Sequence, residues 1–197
     1  YCGEGWMWDD EPEYYEAFIT PLTLNGNYVT VKVTPGSKTG DSLKVSIEPP
    51  TSFLHFVNEG ITSNDTTIPF VKATRPKRAN TITVSGRMSA TDTTEEFEIS
   101  VWQPELWFVD LLKEKLVQHG IIVRGITTID TLKTSTFLSS ISHSIDSVLH
   151  FINKPSDNLA SELLLKTLGK EKLGEPGTAE KGLMVVKEYL SNIGVDT

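Results

Sequence analysis

Tyr28-Val29-Thr30-Val31-Lys32-Val33 is the stretch that decides how the first half of this chain folds. Its β-branched residues alternate with other residues at a period of two, which is typical of a half-buried strand. Leu43-Lys44-Val45-Ser46-Ile47 repeats the alternation after the turn-forming residues 35–41. Asn25-Gly26-Asn27 is a tight-turn signal between two such runs. With further strands predicted over residues 68–73, 81–85 and 97–102, residues 17–102 are predicted to form an antiparallel β domain.

After Pro104 the apolar pattern changes to a helical period. Residues 105–119 place apolar side chains on one face, and Gly120 follows as a helix stop. The remaining predicted elements are two short extended pieces at 121–123 and 127–132 and three helices at 145–153, 157–168 and 178–193. The sequence therefore predicts an α+β fold with a β-rich domain over residues 1–102 and a mainly helical part over residues 103–197.

Composition excludes several classes of function. The 197 residues carry 26 acidic and 18 basic side chains, a net charge of -8, which argues against binding a nucleic-acid backbone. No apolar run approaches the length of a membrane helix. The single cysteine, Cys2, excludes an internal disulfide framework, and two histidines (His143 and His150) without a third ligand make a poor zinc site.

Residues 4–16 concentrate the negative charge, with six acidic residues and no basic one. Four aromatic residues, Trp6, Trp8, Tyr14 and Tyr15, are interleaved with them. A solvated acidic tail would rarely carry so many large rings, because each ring favours burial or a ligand. One interpretation is a strand-entry loop with packed tryptophans, and another is a binding segment. A calcium site is disfavoured because the carboxylates lack the spacing of a calcium loop.

Ser156-Asp157-Asn158, at the start of a predicted helix, is the segment most informative about chemistry. In one interpretation it is structural, since Ser156 or Asp157 is a good helix N-cap after a proline. In the other it is the Ser-x-Asn motif of penicillin-interacting serine enzymes, which also carry Ser-x-x-Lys and Lys-Thr-Gly. There a hydroxyl beside the nucleophile relays a proton to the departing amine, and a neutral amide holds a substrate carbonyl without adding charge.

The surroundings of this tripeptide carry a resemblance to a known family. Residues 153–169, from Asn153-Lys154-Pro155 through Lys166-Thr167-Leu168-Gly169, resemble the Ser-Asp-Asn helix of the D-alanyl-D-alanine carboxypeptidases among class C low-molecular-mass penicillin-binding proteins. Other segments similar to this family are Gly5-Trp6-Met7-Trp8-Asp9-Asp10-Glu11-Pro12, Leu22-Thr23-Leu24-Asn25-Gly26-Asn27, Val123-Arg124-Gly125 and Gly177-Thr178-Ala179-Glu180-Lys181-Gly182. The resemblance extends from end to end, in the family's order.

The resemblance implies an inserted β-rich domain followed by part of a transpeptidase-like catalytic domain. It implies acyl transfer to a serine and hydrolysis at the D-Ala-D-Ala end of a peptidoglycan stem peptide, outside the cytoplasm, with β-lactam antibiotics as acylating inhibitors. No metal or organic cofactor is expected. Ser156 would be the proton-relay hydroxyl, Asn158 a hydrogen-bond partner of substrate or of the catalytic lysine, and Asp157 a residue that orients the turn.

The same resemblance gives the acidic front segment a role. In this family the corresponding segment leans over the catalytic cleft and helps to bind the free amine end of the stem peptide. A carboxylate facing an ammonium group, with an aromatic ring beside the methylene chain, suits that ligand. Two registers fit the sequence, Asp10 with Tyr15 or Asp9 with Tyr14, and both stay open.

Two family motifs do not occur at their expected positions. No serine stands three residues before any lysine, so we expect the nucleophile upstream of Tyr1 and the Lys-Thr-Gly strand after Thr197. Lys38-Thr39-Gly40 has the right letters but precedes Ser156, and a solvated hairpin turn explains it. The chain also begins without methionine and stops directly after a predicted helix. We therefore expect an internal fragment that is catalytically inactive by itself.

Two other functions compete with this interpretation. The β-rich half could be a non-catalytic cell-wall recognition or docking module, with the Ser-Asp-Asn segment an ordinary cap. A true β-lactamase is disfavoured because compact β-lactamases lack a long β-rich region before this motif. Cleavage of cross-links between stems, in addition to carboxypeptidase action, stays open, as do the oligomeric state and the diamino acid of the stem.

Overall fold

The computed structural model describes residue 7 and residues 10–130 and 139–196. Its strands are β1 (Tyr28–Thr34), β2 (Lys44–Glu48), β3 (His55–Asn58), β4 (Ile61–Thr62), β5 (Lys72–Thr74), β6 (Thr81–Ser85), β7 (Arg87–Met88) and β8 (Glu95–Ser100). Its helices are α1 (Pro104–Gln118), α2 (Ile145–Asn153), α3 (Asn158–Leu173) and α4 (Ala179–Asn192). This α+β architecture confirms the predicted fold class.

Strand β1 is the centre of the first sheet. It pairs antiparallel with β2 on one side and β8 on the other, so that Val31 lies opposite both Ile47 and Phe97. A second sheet has the order β3-β6-β5, and β4 pairs with β7. The β3–β6 and β4–β7 pairs are parallel, which the purely antiparallel prediction missed because alternation shows a strand's buried face but not its direction.

The alternation of β1 places its valines in the core. Val29, Val31 and Val33 are each 0% exposed, while the residues between them are half-buried. They belong to one cluster with Leu43, Leu54, Ile82, Val84, Met88, Ile99, Val101, Trp107 and Leu111. Burying a side chain of this size contributes roughly 1.5–3 kcal/mol, so this cluster dominates the stability of the β-rich part.

Helix α1 belongs to the β-rich part of the chain. The chain divides into two compact units, residues 1–132 and 133–197. The predicted boundary at residue 102 therefore does not coincide with the structural division. The physical reason is the apolar face of α1, because Trp107 and Leu111 are buried in the β core. Gly120 ends the helix with φ 79, as a C-terminal glycine should.

The second unit contains α2, α3 and α4, and each helix begins at a side-chain cap. Ser144 Oγ accepts from the backbone of Ser147 at 3.3 Å, and Thr178 Oγ1 accepts from that of Lys181 at 3.2 Å. Asp157 caps α3 in the same way. These short polar residues satisfy backbone donors that a helix start leaves free. The three predicted helices are confirmed.

Some predicted elements differ from the structure. The predicted strand 68–73 is shorter, since β5 starts at Lys72; Ile68 instead accepts a hydrogen bond from the Arg87 side chain. Residues 121–130 contain no strand, since none of them joins a sheet. The last residues of the second extended piece, 131–132, lie outside the described residues. No described helix is both long enough and apolar enough to cross a membrane.

Candidate catalytic and substrate-binding segments

Ser156 lies exposed two residues before the start of helix α3, in a left-handed backbone conformation with φ 62. A serine in this region costs on the order of 1 kcal/mol or more, and such conformations cluster at functional sites. The neighbouring Asp157 carries the cap, since its Oδ1 accepts from the backbone of Ala160 at 2.6 Å. Of the two N-cap candidates in the sequence the structure selects Asp157, so the cap does not require the Ser156 hydroxyl.

The turn that holds Ser156 is fixed by backbone contacts on both sides. The Asp157 amide donates to the Ile152 carbonyl at 2.9 Å, which ties the turn to the end of α2. The Ser161 hydroxyl donates to the Asp157 carbonyl at 2.7 Å. Asn158 is the first residue of α3 and is also exposed. Ser156 and Asn158 therefore lie on either side of a fixed aspartate at a helix N-terminus, with both side chains accessible.

Helix α3 is positioned by close contact with α4. A Cβ atom on Gly169 would lie 2.7 Å from the backbone nitrogen of Gly182. A Cβ atom on Gly182 would overlap the carbonyl oxygen of Leu165. Only glycine allows two helix backbones to approach this closely. In the sequence, Gly182 inside one predicted helix and Gly169 directly after another are the signal that could have indicated this crossing.

The described part of the acidic front segment is a compact chain of turns. The Asp10 amide donates to the Met7 carbonyl at 3.1 Å, and the Glu13 amide donates to the Asp10 carbonyl at 2.8 Å. Tyr14–Glu16 forms a short 3-10 turn. Tyr14 and Tyr15 are 46% and 41% exposed, and their rings meet edge to face at 5.5 Å. The structure thus brings the two tyrosines together; Asp9, Trp6 and Trp8 lie outside the described residues.

Tyr14 lines an open cavity of about 380 Å³ beside strand β8. Its other lining residues are Glu13, Ala73, Glu96, Phe97, Glu98 and Ile99. Three carboxyl groups and one phenol ring are among these residues, and no described lysine or arginine lines the cavity, although Lys32 Nζ lies 3.6 Å from Glu96 Oε1. Opposite charges attract at this range, so the cavity favours a cationic group over an anionic one.

A buried polar cluster holds the front segment against the β-rich unit. Arg75 and Ser100 are 3% and 0% exposed, and Glu11 is 9% exposed. Arg75 Nη1 lies 3.4 Å from Glu11 Oε1, and Arg75 Nη2 donates to the Glu11 carbonyl at 3.1 Å. Burial lowers the pKa of Arg75, and the Glu11 charge opposes that shift. Sequence reasoning missed this cluster, because Arg75 and Glu11 are 64 positions apart and no local pattern links them.

Lys38-Thr39-Gly40 lies in an exposed turn between β1 and β2, as predicted. Asp41 Oδ2 accepts from the backbone amides of Ser37 and Lys38 at 3.0 and 3.1 Å. In the described part of the chain, no group of three or more histidine, cysteine, aspartate or glutamate side chains could hold a metal ion.

Comparison with known proteins agrees with this architecture. The chain is 28% identical over 205 residues to a D-alanyl-D-alanine carboxypeptidase from Actinomadura sp. (strain R39), covering 98% of this chain and 38% of that protein. Its fold matches penicillin binding protein 4 from Haemophilus influenzae with a TM-score of 0.79 at 16% identity, covering 99% of this chain and 44% of that one. The same protein complexed with a novel β-lactam matches at 0.70 and 14% identity, covering 92% of this chain and 42% of the other.

The chain spans less than half the length of each of these relatives. The model of the D-Ala-D-Ala carboxypeptidase 3 (S13) family matches residues 1–197, which is every residue of the sequence. That match confirms the family resemblance drawn from the Ser-Asp-Asn helix and its neighbouring segments. The chain belongs to the D-Ala-D-Ala carboxypeptidase 3 (S13) family.

Proposed function

We propose that this chain is part of a serine-type D-Ala-D-Ala carboxypeptidase that acts on peptidoglycan stem peptides outside the cytoplasm. The observation that carries the proposal is the family match over residues 1–197. The nucleophilic serine attacks the carbonyl carbon of the penultimate D-Ala, the peptide C–N bond breaks, and terminal D-Ala leaves as an amine. Water then hydrolyses the acyl-serine ester and regenerates the enzyme.

Ser156 relays a proton to the departing nitrogen in this mechanism. Its support is the exposed position of Ser156 and its strained backbone, next to a cap that does not need its hydroxyl. Asn158, on the other side of Asp157, holds a substrate carbonyl or the catalytic lysine. β-Lactams acylate the same nucleophile, and the chemistry requires no metal or organic cofactor.

Substitution of Ser156 in the full-length protein tests this role. Ser156→Ala is expected to reduce kcat for a D-Ala-D-Ala peptide about 10²–10⁴-fold, because proton transfer to the leaving group is lost. Ser191→Ala, an exposed serine in α4, is the matched control and should retain activity. Near-normal turnover of Ser156→Ala would remove Ser156 from the mechanism and leave it a structural residue.

The nucleophile lies outside these 197 residues in this proposal, since no serine precedes a lysine by three positions. A polypeptide limited to residues 1–197 should therefore stay unlabelled when incubated with a labelled penicillin, whereas the full-length protein becomes labelled. Stoichiometric covalent labelling of the shorter polypeptide would contradict this assignment.

The front segment binds the free amine end of the stem peptide. Its support is the carboxyl-lined cavity at Tyr14 and the exposure of Tyr14 and Tyr15. The experiment compares Asp9→Asn with Asp10→Asn in the full-length protein, on a stem peptide with a free side-chain amine and on its acetylated form. The aspartate that belongs to the site is the one whose loss raises KM for the free-amine peptide alone. If neither does, the segment does not bind the amine.

A further inference from the structure

Arg75, a buried arginine of the β-rich unit, forms hydrogen bonds with the front segment. Arg75 Nη2 donates both to the Glu11 carbonyl at 3.1 Å and to the Ser100 hydroxyl at 3.0 Å. The Ser100 hydroxyl in turn donates to the same Glu11 carbonyl at 2.6 Å. Two donors from distant parts of the chain thus converge on a single backbone oxygen.

The Glu11 side chain is fixed at the same place. Its Oε1 accepts from the Arg78 backbone amide at 2.7 Å and faces Arg75 Nη1 at 3.4 Å. Arg75 Nη1 also donates to the carbonyls of Pro76 and Ala79 at 3.1 and 2.8 Å, which fixes the guanidinium to its own loop. Glu11 is therefore held through both its backbone and its carboxylate.

The contacts continue from Glu11 into the residues that follow it. The Ser100 amide donates to the Pro12 carbonyl at 2.9 Å, and Glu13 forms an antiparallel bridge with Ile99. The front segment is thereby attached along strand β8, directly before Tyr14. Asp10 precedes the cluster by one residue and Tyr14 follows it by three, so the cluster fixes the backbone between them.

We propose that Arg75, through Glu11 and Ser100, is a positioning residue that sets substrate selectivity by holding the front segment in place. The inference rests on the proposed function, in which this segment binds the amine end of the stem peptide. Arg75 is buried, so it acts through the segment and not by touching substrate. A displacement of about 1 Å at such a site is enough to change rates by a factor of roughly a hundred.

The test measures selectivity in the full-length protein, as the ratio of kcat/KM for a free-amine D-Ala-D-Ala stem peptide to that for its acetylated form. Arg75→Met is expected to lower this ratio roughly 10- to 100-fold through KM for the free-amine peptide, with kcat/KM for the acetylated peptide and penicillin acylation unchanged. Arg75→Lys should restore part of the ratio. Arg124→Ala, at an exposed arginine, is the matched control.

Hydrogen exchange of the Ser100 amide provides a structural readout, because that amide is bonded to Pro12. Faster exchange there, together with a lower ratio, supports the proposal. If Arg75→Met does not fold, the same selectivity ratio is measured for Glu11→Gln. This substitution keeps the shape of the side chain and removes its charge. An unchanged ratio in the folded variant overturns the positioning role. A wild-type protein without preference for the free amine instead overturns the proposed amine site itself.

Discussion

The front segment and the Ser-Asp-Asn turn are held in place by opposite means. The front segment depends on partners 64 and 89 positions away, Arg75 and Ser100. The Ser156 turn depends on contacts within a few residues, namely the Asp157 cap on Ala160 and the bond from Asp157 to Ile152. Distant contacts leave no local trace in the sequence, whereas contacts between neighbouring residues can be recognised from it.

Removal of the buried arginine tests the distant contacts and should have the largest effect on stability. Arg75→Ala leaves the buried Glu11 carboxylate without its charged partner, and breaking a buried pair costs roughly 3–5 kcal/mol. We expect the free energy of opening, measured by hydrogen exchange of the full-length protein, to fall by this amount for amides of β1 and β8. Arg124→Ala should leave the free energy of opening of those amides unchanged. If Arg75→Ala also left it unchanged, the cluster around Arg75 would contribute little to stability.

The contact between helices α3 and α4 at Gly169 and Gly182 joins residues that are more widely separated in sequence than those of the Ser156 turn. Gly182→Ala places a methyl group against the Leu165 carbonyl, and overpacking of this kind costs typically about 1–3 kcal/mol. Faster hydrogen exchange is expected in α3 and α4, with β1 and β8 unaffected. Ser191→Ala, on the exposed side of α4, should be neutral. Unchanged exchange in Gly182→Ala would mean that the two helices separate easily.

Loss of the local cap should have a smaller effect. Asp157→Ala removes the acceptor of the Ala160 amide, and the loss of such a cap costs roughly 0.5–2 kcal/mol. We expect faster exchange confined to the first turn of α3 and lower peptidase activity, because the Ser156 turn loses its support. Asp157→Asn keeps an acceptor and should behave almost as wild type. Equal effects for both variants would indicate a role for the charge itself.

The surface ion pair of the first sheet should have the smallest effect. The hydrogen bond from Lys32 to Glu48, at 2.8 Å, raises the pKa of Lys32 and lowers that of Glu48. The stabilisation is therefore lost when pH rises through the folded-state pKa of Lys32, and also when pH falls through that of Glu48. Glu48→Gln should return the pKa of Lys32 towards its ordinary value, as measured by NMR titration. Glu96→Gln should do so less, since Glu96 lies 3.6 Å away.

What the sequence could predict follows the same division. The period of two in β1 and the capped helices α2, α3 and α4 were predictable, because each depends on neighbouring residues. The assignment of α1 to the β-rich unit was not, since it depends on Trp107 fitting a core formed by strands far away. The parallel β3–β6 pair was missed for the same reason.

The candidate site divides in the same way. The Ser-Asp-Asn turn is visible in sequence as a proline, a cap and a helical period, and Gly169 and Gly182 mark the crossing that supports it. The cluster around Arg75 cannot be recognised from the sequence, because the residue type does not show whether an arginine is buried or solvated. Burial and its partners become apparent only when residues 11, 75 and 100 are seen together.

The attachment of the front segment along β8 also sets an order of events during folding. A chain emerges with its N-terminus first, whether from the ribosome or from a translocation channel, so Glu11 appears long before its partners. The Glu11 carbonyl can accept the hydrogen bond from the Ser100 hydroxyl only after 89 further residues have been made. The segment proposed to recognise substrate therefore cannot reach its final position until strand β8 has been made.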